Sequence, residues 1–151
     1  MNEIDRTYSW TWQHAFREMI KSRQMTRLVT VTVDPRNKMN SGLKTASAVG
    51  RKVQRYVEAN CAGTVIGAAE IPRYRDPKYD HPHWHGFAGP EDARRLKDAI
   101  EASGIGFVDI ERPDDDPEHY DYAIDYVRRK WDGSTSSGSV IHKLSNTSRG
   151  V

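Results

Sequence analysis

A single cysteine, Cys61, in 151 residues leaves no partner for an internal disulfide and points to a reducing compartment. Cys61 itself reads as a small buried residue. No apolar run approaches the roughly 18 residues that a membrane-spanning helix requires. The residues Met1-Asn2-Glu3-Ile4-Asp5-Arg6 lack a basic stretch followed by an apolar one, so no secretory leader is expected. These absences lead to an expected cytoplasmic location with no membrane partner. There is no Gly-rich phosphate loop of the Walker type. No internal repeat is visible. Excess charge is also missing: the formal net charge is only +2, although 29% of residues are charged. Acidic residues gather in 109–118, around Asp114-Asp115-Asp116, whereas basic ones lie in 17–27, 44–55, 73–78 and 128–130. Such segregation suits either a basic face for a phosphate backbone or ordinary solvated helix faces.

The chain has the length of a single domain with one sizeable core. Ser9 is a reasonable cap for a helix running to about Gln24, with Trp10, Trp12, Phe16, Met19 and Ile20 near one stripe. Leu28-Val-Thr-Val-Thr-Val33 reads as a strand, ended by Asp34-Pro35-Arg36-Asn37. A helix is expected over 43–60, a second strand over 64–71, and a polar connection over 72–82. His83 to Ala88 reads as a third strand, antiparallel to the second. Gly89-Pro90-Glu91-Asp92 opens a helix that Gly104 ends. A fourth strand spans 106–111, and Asp116-Pro117-Glu118 opens a last helix to about Trp131. This order predicts an α+β fold, an antiparallel sheet with helices packed against it. The folded domain is expected over 1–132. The Ser/Gly-rich tail 133–151, which holds Lys143 and Arg149, is expected to be flexible.

Residues i and i+2 of a strand share a face, so His83 and His85 project together and Trp84 points into the core. Two imidazoles side by side form a metal-ligand pair that needs a third donor. Glu70, near the end of the preceding strand, is the first candidate for it, with His81 and Asp80 as rivals. A His/His/Glu set with open positions suits a divalent ion such as Mg²⁺, Mn²⁺ or Zn²⁺. On the last helix Tyr122, Tyr126 and Lys130 follow at i, i+4 and i+8, within roughly 80° of one another. Aromatics at such spacing are usually core, but Ile124, Val127 and Trp131 already supply an inward face, and a lysine is costly to bury. A phenol with a pKa of about 10 is a poor nucleophile; a nearby cation or a metal-polarised phosphate favours its phenolate. Asp121 and Asp125 read as solvated or capping residues.

Together these elements resemble the HUH endonuclease superfamily, and most of all the rolling-circle replication initiator (Rep) proteins of phages, single-stranded DNA viruses and plasmids. Leu28-Val-Thr-Val-Thr-Val-Asp-Pro-Arg36 looks like the first Rep motif, Pro82-His-Trp-His-Gly-Phe87 like the His-hydrophobe-His motif, and Tyr122-x-x-x-Tyr126-x-x-x-Lys130 like the two-tyrosine motif. The likeness spans about residues 27–131, and the motif order argues against the relaxases of conjugative plasmids. It implies a sheet of about five antiparallel strands and a single-stranded or hairpin origin DNA as substrate. It also implies a metal, Mn²⁺ or Mg²⁺, on His83, His85 and Glu70. Tyr126 would be the first nucleophile and Tyr122 its partner, leaving a 5′-phosphotyrosine and a free 3′-hydroxyl. Lys130 would contact phosphate or stabilise charge, and Arg36, Arg128 and Arg129 would bind DNA. With no helicase segment in the chain, host helicase and polymerase are expected partners. A single-tyrosine transposase of the same superfamily and a non-catalytic DNA-binding protein on the same fold are the alternatives.

Overall fold

The computed structural model describes residues 3–71 and 81–131, with side chains over 13–71 and 81–129. Asp80, the tail from 133, and the side chains of Trp10, Trp12, Lys130 and Trp131 lie outside the described residues. Helix α1 (Glu3–Ser22) leads into β1 (Arg27–Val33), a 3-10 turn at Lys38–Asn40 and helix α2 (Ala46–Asn60). Then come β2 (Ile66–Glu70), β3 (His83–Ala88), α3 (Pro90–Ser103), β4 (Gly106–Glu111) and α4 (Pro117–Trp131). The fold is α+β: one antiparallel sheet in the order β2-β3-β1-β4, with α2 and α3 against one face and α1 and α4 against the other. The described residues form four strands rather than five, because they hold only four runs with strand-like alternation between turn signals.

Helix boundaries differ from the sequence expectation where local chemistry overrides periodicity. No glycine or proline interrupts Glu3–Ser22, so α1 starts before Ser9 instead of at it. α2 starts at Ala46 rather than Leu43 because Thr45 adopts extended backbone and its Oγ1 accepts the amide of Ala48 at 3.1 Å. Gly104, with φ 81°, terminates α3 as expected. β2 begins at Ile66, while Thr64 just before it receives the Arg23 guanidinium at 2.7 Å.

Two apolar layers hold the sheet. Beneath α2 and α3 lie Val29, Val31, Val49, Val53, Trp84, Leu96 and Ile100, all at most 1% exposed. Trp84 lies flat on two glycines that face each other across β2 and β3. A Cβ on Gly67 would meet its ring at 2.4 Å and one on Gly86 at 2.2 Å. Beneath α1 and α4 lie Phe16, Ile20, Met25, Ile66, Phe87, Ile124 and Val127.

Tyr120 joins this second layer, and its hydroxyl donates to the Met25 carbonyl at 2.8 Å. Burial pushes its pKa from 10.0 up to about 12. Because the folded pKa lies above the unfolded one, this contribution is complete below pH 10 and is lost as pH rises towards 12. Stability is therefore expected to fall by up to about 1.4 kcal/mol per pH unit in that window. Urea unfolding between pH 9 and 12 checks this: the difference between wild type and Tyr120→Phe should change with pH there. A constant difference would show that Tyr120 does not titrate with unfolding.

Candidate active site

Alternation along β3 separates packing from chemistry. Trp84, Gly86 and Ala88 point to the α2/α3 side, so His83, His85 and Phe87 point to the α1/α4 side. Direct cross-strand partners share a face, and registration builds rows across the sheet. One row runs Glu70, His83, Thr32, Phe107; the next runs Ala68, His85, Thr30, Asp109. Both histidines are half-buried, as is Glu70.

The threonines of β1 fix the imidazoles. Thr30 Oγ1 lies 3.1 Å from His85 Nδ1, and Thr32 Oγ1 lies 3.3 Å from His83 Nδ1. With each Nδ1 engaged, Nε2 is the ring nitrogen left to face a ligand, the arrangement in which an outer partner orients a metal-binding histidine. Burial holds the His83 pKa below the ordinary imidazole range, and the neighbouring His85 acts in the same direction. The neutral ring that this favours is also the form that binds metal. The alternation in Leu28-Val-Thr-Val-Thr-Val33 marks these threonines as the polar face of a strand, but their pairing with the histidines depends on a β1–β3 register that the sequence does not carry.

Glu70 Oε1 lies 3.6 Å from His85 Nε2. The same oxygen is 3.5 Å from the hydroxyl of Tyr126, whose ring meets His85 edge-on with centroids 5.8 Å apart. The rings of His83 and His85 are 6.0 Å apart. The structure thus brings Glu70, His83, His85 and Tyr126 together. Among the described residues no three His, Cys, Asp or Glu side chains form a ready-made metal cage. The donor types nevertheless fit a hard or borderline divalent ion: two oriented imidazoles and a carboxylate on adjacent strands.

The other expected site residues do not join this group as one cluster. Tyr122 is 63% exposed on the outer side of α4. His81 is half-buried just before β3, where, beside the dominant burial of His83 and the dominant Arg36 bond to Asp34, its charge bears in a minor way on both, lowering the pKa of each. Arg36 is on open surface with its guanidinium bonded to Asp34, Arg128 is buried at 9% exposure, and Arg129 is half-buried. Phe107, 55% exposed, is a further aromatic on the histidine face that carried no sequence motif.

The acids beside the tyrosines bind α1 instead of solvent. Asp125 takes the Arg17 guanidinium through Nε at 3.0 Å and through Nη2, and Gln13 Nε2 at 2.8 Å. Lys21 and Asp121 pair at 2.6 Å one turn away. This clasp sets the position of the helix that carries Tyr126. Asp125→Ala strips a half-buried guanidinium of its partner and is expected to cost about 1–3 kcal/mol in urea unfolding. A loss below about 0.5 kcal/mol would put the clasp among surface pairs of no consequence.

No family model, curated protein or solved structure matches the chain.

Proposed function

We propose that the protein is a metal-dependent single-stranded DNA nickase and strand-transfer enzyme of the HUH type, which initiates rolling-circle replication through a covalent tyrosyl intermediate. The observation that carries this reading is the arrival of the Tyr126 hydroxyl at Glu70, beside His85 and on the histidine face of the sheet. The resemblance of three motifs in Rep order supports it independently. A divalent ion, Mn²⁺ or Mg²⁺, on His83, His85 and Glu70 would act as a Lewis acid that polarises the scissile phosphate.

The chain's own groups do the rest. Thr30 and Thr32 hold the imidazoles in register, and α1 holds α4 so that Tyr126 faces the phosphate. Its phenolic oxygen forms a bond to phosphorus as the bond from phosphorus to the 3′-oxygen breaks. The phenol loses its proton to solvent and the departing oxygen takes one up. One phosphodiester is exchanged for another, so the 5′-phosphotyrosine keeps the bond energy for rejoining, and the free 3′-hydroxyl can prime synthesis. Helicase and polymerase activity would come from host proteins. The exposure of Tyr122 favours a version with one nucleophile at a time, with Tyr122 reaching the site only in a later round.

The test is incubation with single-stranded DNA from the protein's own replicon, in Mn²⁺ or EDTA, followed by denaturing electrophoresis. A covalent adduct that needs the metal is the expected result. Folded protein that binds the same DNA without forming an adduct would leave a non-catalytic binder on this fold.

A further inference from the structure

Two adjoining concavities meet at Leu43, on the α2/α3 side of the sheet, whereas Tyr126 lies on the α1/α4 side. The first, of about 350 Å³, is lined by Val33, Pro35, Leu43, Lys44, Ile71 and Pro82. Ile71 directly follows Glu70 and Pro82 directly precedes His83, so this hollow opens at the end of the strands that carry the candidate site. The second, of about 250 Å³, is lined by Met39 and Leu43 and by Arg51, Lys52 and Arg55 of α2. These three cations stand at i, i+1 and i+4 on the outer side of α2, and with Lys44 they make four positive charges along one track. None of the described carboxylates forms an ion pair with any of the four. The first turn of α2 carries no acidic residue, so the positive end of the helix adds to the same field.

The floor of the track is built rigidly. Asn40, only 8% exposed, donates through Nδ2 to the carbonyls of Asp34 and Ile105 at 2.9 Å and of Gly104 at 3.2 Å. Asn37 donates to Gly104 at 2.8 Å and accepts the Met39 amide at 3.0 Å. A loop tied this firmly cannot fold Met39 inward, and that side chain stands 86% exposed beside the cations. An apolar floor rimmed by unpaired positive charge, leading away from a phosphodiester site, matches the chemistry of single-stranded nucleic acid. Its bases can lie on apolar groups while its phosphates meet the cations.

We propose that this track holds the single-stranded DNA flank beyond the scissile phosphate, anchoring its backbone on Lys44, Arg51, Lys52 and Arg55. The proposal rests on the DNA-nicking reading and adds a second contact region on the far side of the strand ends. It is tested with two oligonucleotides, one confined to a few nucleotides about the cleaved phosphate and one extended by about ten on either side. In wild type the extension should raise affinity at least about 10-fold. In Arg51→Glu/Lys52→Glu/Arg55→Glu that gain should vanish, and the slope of log affinity against log salt should fall by about 2, near 0.7 per lost phosphate contact. Lys44→Glu/Arg55→Glu, which alters two exposed side chains, is expected to cut the gain and lower the slope by about 1.4 should the triple variant fail to fold. Folded variants that keep the wild-type gain and slope would overturn the track while leaving an observed wild-type adduct intact. Wild-type protein that binds neither oligonucleotide, or one whose track binds an acidic peptide in preference to DNA, would overturn it as well. In the first of those cases the nicking reading falls too.

Discussion

Replacing Tyr126 by phenylalanine is expected to abolish covalent DNA attachment while leaving the protein folded. The phenyl ring keeps its edge-on contact with His85, 5.8 Å between centroids. The hydrogen bond it gives up is a long one, 3.5 Å to Glu70, so the stability lost should stay below about 1 kcal/mol. The proposed nucleophilic oxygen is removed, so the adduct should be lost unless Tyr122 takes its place. Tyr122→Phe alters a side chain that is 63% exposed and should retain the adduct within about 10-fold in a single turnover. DNA labelled on the 3′ side of the cleavage point, separated under denaturing conditions, reads both variants. An adduct that persists in Tyr126→Phe and disappears in Tyr122→Phe would move the nucleophile one turn along α4. If it is lost only in the double variant, both tyrosines are competent.

Trp84→Ala is expected to cost about 3–5 kcal/mol, a large share of the 5–15 kcal/mol available to a domain of this kind. Trp84 is fully buried, and its ring fills the space left by Gly67 and Gly86, where a Cβ would meet it at 2.4 and 2.2 Å. Neither glycine can supply volume when the indole is removed, so the cavity between β2, β3 and the α2/α3 layer has few ways to collapse. The midpoint of urea unfolding measures the effect. A loss under about 1.5 kcal/mol would mean that α2 and α3 settle onto the sheet without the ring. The reciprocal change, Gly86→Ala, forces a methyl group into the indole and should destabilise through strain instead of a void.

The parts of the site that were legible in the sequence are those set by short-range periodicity. Alternation placed His83 and His85 together with Trp84 behind them, and Glu70 needed only the antiparallel pairing of neighbouring strands. The structure pairs Glu70 with His83 in direct register. The inward face of α4 was also readable, since Ile124 and Val127 are both fully buried. What periodicity cannot carry is partner choice between distant elements. Asp125 looked solvated because Gln13 and Arg17 lie more than 100 residues away in sequence. The spacing of Tyr122 and Tyr126 likewise did not tell which of them faces the sheet. That follows from where Tyr120 and Ile124 pack against Phe87, Ile66 and α1. The boundary of α2 turned on one hydroxyl, Thr45, whose capping bond outweighs the apolar pattern that begins at Leu43.

The clasp between α1 and α4 has a consequence for the order in which the protein matures. It closes a wide loop, Gln13 to Asp125, a separation of 112 residues. Contacts of such span form late, because the chain must bear the closure entropy before they reward it. During synthesis the histidine face can assemble as soon as β3 has paired with β1 and β2, but Tyr126 arrives only when α4 has emerged and docked. Under the proposed function, a nascent chain whose α4 has not docked would carry His83, His85 and Glu70 without Tyr126 and would form no adduct with DNA. The Tyr126 hydroxyl thus belongs to the late-closing side of the described fold.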